Sequence, residues 1–125
     1  MTREESILNA IDGYIYGLPN RVKGYINTFD MSLKADSGKL NTLRLINQFY
    51  EVVSELKGIP KGDITKEHIE ENIEVSVAAY LYRPIQSNRK SIGLRKPTEK
   101  DIQKRKTTIE KYFKFLGVEY PQGVN

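Results

Sequence analysis

Between Leu40 and Lys57, seven apolar residues recur at helical spacing: Leu40, Leu43, Ile46, Phe49, Tyr50, Val53 and Leu56. Asn41, Arg44 and Gln48 fall on the other side at i, i+3 and i+7. Gly58 and then Pro60 supply the stop, because glycine accepts the left-handed closing turn and proline cannot continue a helix. A long amphipathic helix requires other elements to cover its stripe.

Four more helical segments supply that cover. One spans about Arg3 to Tyr16, with Ile7, Leu8, Ile11 and Ile15 on a common face, and breaks at Gly17, Pro19 and Asn20. The next spans about Arg21 to Lys34, with Val22, Tyr25, Ile26, Phe29 and Leu33 as its stripe, before a turn at Ala35 to Gly38. After the central helix, Thr65 offers an N-cap and Glu67 an acid in the first turn, opening a helix that continues through Ile69, Ile73, Val77, Tyr80 and Leu81. The last runs from about Thr98 to Leu116. Asp101 completes a capping arrangement with Thr98, and Ile102, Ile109, Tyr112, Phe113 and Leu116 form the apolar side. Lys100, Lys104, Thr107, Lys111 and Lys114 make a second stripe, and Gly117 ends the helix. The predicted fold is all-α, a compact bundle of four to five helices with no strand pair. Tyr25, Phe29, Phe49, Tyr50, Tyr112, Phe113 and Phe115 are expected in the core, and Tyr14, Tyr16, Tyr80 and Tyr82 partly exposed.

With 125 residues, 38% apolar and 29% charged, the chain has the composition of one globular domain. It has no cysteine, which excludes disulfides and thiolate metal sites. No apolar run approaches the roughly 20 residues that span a bilayer. The N-terminus is acidic where a secretion signal is basic, so a cytoplasmic protein without membrane association is expected.

The net charge of +4 is unevenly spread. From Arg83 to Lys106, nine basic residues oppose only Glu99 and Asp101, so this segment carries +7, while the remainder, with 11 basic and 14 acidic residues, carries −3. A concentrated positive field suits a polyanion. Pro84 to Pro97 has no periodicity and reads as a long exposed loop, a length that compact domains keep for function or leave disordered.

Independent catalysis is not expected. His68 is the only histidine and reads as a surface residue, and Glu67, Glu70, Glu71 and Glu74 read as a solvated helical face. There is no glycine-rich phosphate loop and no hydrolase, zinc-protease or calcium-loop pattern, and no cofactor or metal is expected. DNA binding needs cations for phosphates and polar side chains on a rigid helix for base edges. Arg89, Lys90, Arg95 and Lys96 supply loop cations. Lys39, Asn41, Thr42, Arg44 and Gln48 supply the polar face of the central helix, and Lys100, Lys104 and Arg105 lie on the last helix.

Three ordered stretches carry a resemblance. Ser37-Gly-Lys-Leu-Asn-Thr42, followed by Leu-Arg-Leu-Ile-Asn-Gln-Phe49, is similar to the start of a DNA-facing helix. Asp63-Ile-Thr65-Lys-Glu-His-Ile69 is similar to a helix entry, and Arg105-Lys-Thr-Thr-Ile109-Glu-Lys-Tyr112-Phe113-Lys-Phe115-Leu116-Gly117 to a closing helix. Together, over about Val22 to Gly117, they resemble the N-terminal core-binding domain of tyrosine recombinases, the phage integrase family. Ile46 and Ile102 stand where that family usually has Tyr and Thr, and the basic insertion before the last helix is longer. The resemblance implies a SAM-like bundle over residues 21–117; residues 1–20 read as a helical extension, and the tail Val118 to Asn125, with Pro121 and Gly123, reads as a linker. It implies double-stranded DNA as partner, clamped together with a C-terminal catalytic domain that carries the nucleophilic Tyr and its Arg, Lys and His partners. The chain is then expected to be either part of such an integrase or a stand-alone phage or bacterial transcriptional regulator, with self-association on DNA open to both. A helical adaptor whose basic loop docks an acidic protein is the remaining reading.

Overall fold

The computed structural model describes residues 2–28, 33–86 and 93–123. Phe29, Arg89 and Lys90 lie outside them. The described residues are mostly helical, in the order α1 (Arg3–Tyr16), α2 (Asn20–Ile26), α3 (Leu33–Lys57), α4 (Lys66–Glu70), α5 (Ile73–Leu81), β1 (Ile85–Gln86), β2 (Leu94–Arg95) and α6 (Glu99–Leu116), with a 3-10 turn at Lys61–Asp63. None of these helices is long and apolar enough to cross a membrane.

Several boundaries follow from the expected chemistry. The Thr65 hydroxyl accepts the His68 backbone N–H at 3.2 Å, and the Thr98 hydroxyl accepts that of Asp101 at 3.3 Å. Gly117 adopts φ 76°, and the Val118 N–H reaches back to the Phe113 carbonyl at 2.9 Å, satisfying a carbonyl the helix end would orphan.

Five expectations are corrected. The helix expected from Arg21 to Lys34 ends at Ile26, and Leu33 already belongs to α3. The turn at Ala35 to Gly38 is absent, and α3 runs through it from Leu33. A helical glycine costs only about 1 kcal/mol, which a helix of 25 residues absorbs. The helix expected from Thr65 to Leu81 is split instead: Asn72 stands at φ 54°, ψ 38°, the left-handed region that asparagine tolerates better than most residues. The presumed irregular loop contains an antiparallel pair, with Ile85 opposite Arg95 and Gln86 opposite Leu94. Strands of two residues are too short to show alternation in sequence. Finally, the segment expected to be a linker packs on the bundle: Val118 and Pro121 are buried, and the Tyr120 ring lies 6.2 Å from Phe113.

α3 is the centre. α1, α5 and α6 pack on it, and α2 closes against α6. Phe49 meets Tyr80 and Phe113 edge-on at 5.5 and 5.4 Å, a preferred aromatic geometry. Tyr80, expected to be partly exposed, is thus fully buried, whereas Phe115 is about half exposed and rests on Tyr25 at 5.2 Å. Tyr16 and Tyr82 are exposed as expected, and Leu8 and Leu56 project from their stripes into solvent.

One polar network crosses the interior. The Tyr50 and Tyr112 hydroxyls share a hydrogen bond of 2.6 Å. Arg21 Nη1 donates to the Tyr50 hydroxyl at 3.3 Å and to the Ile64 carbonyl at 2.6 Å. Burial raises the pKa of both tyrosines, so both stay neutral at physiological pH. The network is asymmetric, because Tyr50 has two partners and Tyr112 has only Tyr50 among the described residues. Tyr112→Phe is expected to cost about 1 kcal/mol. Tyr50→Phe, which strands the Tyr112 hydroxyl in the core, should cost about 2–3 kcal/mol in urea unfolding.

Candidate functional site

The N-terminus of α6 is tied to β2. Asp101 Oδ2 accepts the Thr98 N–H at 2.9 Å, the Thr98 hydroxyl at 3.0 Å and Arg95 Nη1 at 2.9 Å. The Thr98 backbone bond, followed by the Arg95 contact, holds the Asp101 carboxyl down at about 2. A two-stranded hairpin is marginal by itself, and this contact anchors its second strand to the bundle. The first strand is anchored through Arg83, whose Nη2 is 3.1 Å from Glu55 Oε1 and 3.5 Å from Glu51 Oε2 on α3.

Arg105 has a different place from the one expected. It is only 4% exposed, and its Nη1 donates to the carbonyls of Tyr80, Leu81 and Arg83 at 3.1, 3.0 and 2.7 Å. Its guanidinium also lies 5.7 Å from the Tyr80 ring centroid. These carbonyls are at the end of α5, where intrahelical donors run out and the helix dipole favours a cation. Burial lowers the Arg105 pKa, and the nearby Asp101 carboxylate is among the influences that oppose this. Arg105 therefore closes a helix end; it does not offer its charge to a phosphate. The helical spacing of α6 did mark its place: Arg105 lies three residues after Ile102 and four before Ile109, on the apolar stripe, and its basic side chain drew it into the charge count instead.

Between the N-terminal half of α3, the base of the hairpin and the first half of α6 lies an open groove of about 720 Å³. Asn41, Thr42, Arg44 and Gln48 line it from α3, Arg95 from β2, and Lys104 and the inner edge of Arg105 from α6. Residues some 60 positions apart in sequence thus share one surface. Lys96 and Lys100 are exposed but outside the groove, and Lys39 is buried, at 7% exposure. Lys100, Lys104, Thr107, Lys111 and Lys114 are all exposed, as their stripe predicts.

The groove also includes Arg83, Glu51, Asp101 and Thr108, to which the sequence assigned no binding role. Arg83 was visible only as part of the charge excess, and Asp101 only as a cap. Arg44 donates to Asn41 Oδ1 at 3.2 Å, which orients its guanidinium along α3. The floor is mixed, with Leu45, Ile85 and Leu94 contributing apolar surface. His68 lies elsewhere and is occupied: its Nδ1 accepts the Thr65 N–H at 3.0 Å, completing the cap of α4. Among the described residues, no group of three or more His, Cys, Asp or Glu side chains is placed to hold a metal.

No protein-family model, curated protein or solved structure matches this chain.

Two measurements check this geometry. Arg105→Ala removes the guanidinium donor from the Leu81 and Arg83 carbonyls and leaves that of Tyr80 only its backbone donors, and should destabilise by about 2–3 kcal/mol. Arg105→Lys should recover only part of this, and Lys104→Ala should stay within about 0.5 kcal/mol. Because the Asp101 pKa is depressed, its contribution to stability is complete above the ordinary carboxylate range and fades as pH falls toward 2. The stability gap between the wild-type protein and Asp101→Asn should therefore narrow from about pH 5 downward.

Proposed function

We propose that this chain binds duplex DNA through the face formed by α3, the hairpin and α6, as the core-binding module of a phage-type site-specific tyrosine recombinase. The observation that carries the reading is the meeting of the polar residues of α3 with the basic segment along one groove, although they are far apart in sequence. A SAM-like arrangement of the bundle belongs to the same proposal and accords with the mostly helical fold. Lys96, Lys100 and Lys104 neutralise phosphates and set register, while Arg95 is held by Asp101 at the edge of the groove. Asn41 and Gln48 carry the side-chain types that make bidentate contacts with adenine. Strand cleavage, in this reading, belongs to a separate catalytic domain.

A stand-alone transcriptional regulator on the same scaffold is the second reading. Formation of a covalent protein–DNA adduct by the protein that carries this chain separates the two.

The test is a titration against duplex DNA at 50 and 200 mM salt. Each phosphate contact contributes about 0.9 to the log–log salt slope. Lys96→Ala and Lys100→Ala should weaken all duplexes alike and flatten the slope, while Asn41→Ala and Gln48→Ala should change the ranking of sequences. Absence of duplex binding, or binding indifferent to salt, would sink the reading.

A further inference from the structure

Most cations lining the groove already have ionic or carbonyl partners, although Arg83 Nη1 is buried without one among the described residues. Arg83 faces Glu51 and Glu55, Arg95 faces Asp101, and Arg105 is committed to three carbonyls. Two remain. Arg44 lines the groove from α3 and Lys104 from α6; both are exposed, and neither has a carboxylate partner among the described residues. Asn41 Oδ1 takes one Arg44 donor at 3.2 Å and leaves the rest of the guanidinium fork available.

The walls say which part of a nucleic acid enters. None of the described lining residues is aromatic, so they offer no surface on which a base would stack. Leu45, Ile85 and Leu94 instead offer aliphatic surface suited to the faces of a deoxyribose. A phosphodiester has two non-bridging oxygens, which can accept from a guanidinium on one side and an ammonium on the other.

We infer that Arg44 and Lys104 grip a single phosphodiester of one DNA strand between α3 and α6, so that the groove seats the sugar-phosphate backbone. This inference rests on the duplex-DNA reading above. It moves Arg44 from the base-reading residues to the phosphate-binding ones. A strand seated there has α3 on one flank and the hairpin with α6 on the other, so the two elements approach the duplex from opposite sides of that strand. Asp101 and Glu51 fulfil a second condition. By pairing with Arg95 and Arg83, they leave Arg44 and Lys104 as the cations of the described lining that have no carboxylate partner, which concentrates phosphate binding at that one pair.

The test uses the intact chain and compares wild type, Arg44→Ala, Lys104→Ala and the double variant on one duplex at 50 and 200 mM salt. Loss of one phosphate contact reduces the salt sensitivity over this fourfold range by about 3.5-fold. If the two cations share one phosphate, the double variant loses about 3.5-fold in total. Two independent contacts would give about 12-fold, and that result overturns the inference while leaving duplex binding intact. A methylphosphonate scan supplies the second readout. One neutralised linkage should weaken wild type strongly and have no effect on the double variant; equal effects on both proteins overturn the inference, as does a changed sequence ranking in Arg44→Ala. If wild type does not bind duplex DNA, the proposed function fails and this inference falls with it. Circular dichroism of each variant confirms that these exposed substitutions leave the fold in place.

Discussion

The arrangement of the groove depends on one buried cation. Arg105 gathers the carbonyls of Tyr80, Leu81 and Arg83, and so fixes where α5 ends and in which direction the chain leaves it. The hairpin begins two residues later, at Ile85. A lysine presents no planar fork and cannot serve several acceptors in the same way. The same contact pins α6 to α5, so one guanidinium sets both the wall and the edge of the candidate binding surface. Its position under the Tyr80 ring links that surface to the aromatic interior, where Tyr80 meets Phe49.

The electrostatics of the surface differ from those of the sequence. By composition the segment Arg83 to Lys106 is a block of positive charge. Folding distributes it: Arg83 and Arg95 are locally compensated, Arg105 is withdrawn, and Lys106 lies 3.9 Å from Glu110. Among the described residues of the segment, Lys96, Lys100 and Lys104 face solvent without a carboxylate partner. Such partial neutralisation favours recognition that depends on position over indiscriminate attraction, because a paired cation gains little from an approaching anion unless that anion displaces its carboxylate.

The elements with a repeating pattern or a local cap were legible in the sequence. The stripe of α3, the threonine caps at Thr65 and Thr98 and the glycine stop at Gly117 each depend on residues within a few positions of one another, and the structure has all of them. What was hidden depended on distant partners or on one backbone angle. Asn72 breaks a continuous helical pattern through a conformation that its neighbours do not reveal. The hairpin has too few residues to alternate, and its stability comes from Asp101 and from glutamates on α3. Of the candidate site, Asn41, Thr42, Arg44, Gln48, Arg95 and Lys104 were legible as residue types and do meet in space. Arg105 was separable by register, since it falls on the apolar stripe between Ile102 and Ile109, whereas Lys39 precedes the expected start of its helix and only the packing around it shows its burial.

The interior hydrogen bond between Tyr50 and Tyr112 also gives the protein an optical identity. The chain has eight tyrosines and no tryptophan, so its intrinsic emission comes from phenol rings alone, with no indole to collect their excitation. Tyr50, Tyr80 and Tyr112 are enclosed, while Tyr16 and Tyr82 face water. Burial raises the pKa of the enclosed rings, so alkali should reach them only as the bundle opens. The shared hydroxyl contact lies where α2, α3 and α6 converge, so the late part of such an absorbance change reports the integrity of that junction without any attached label.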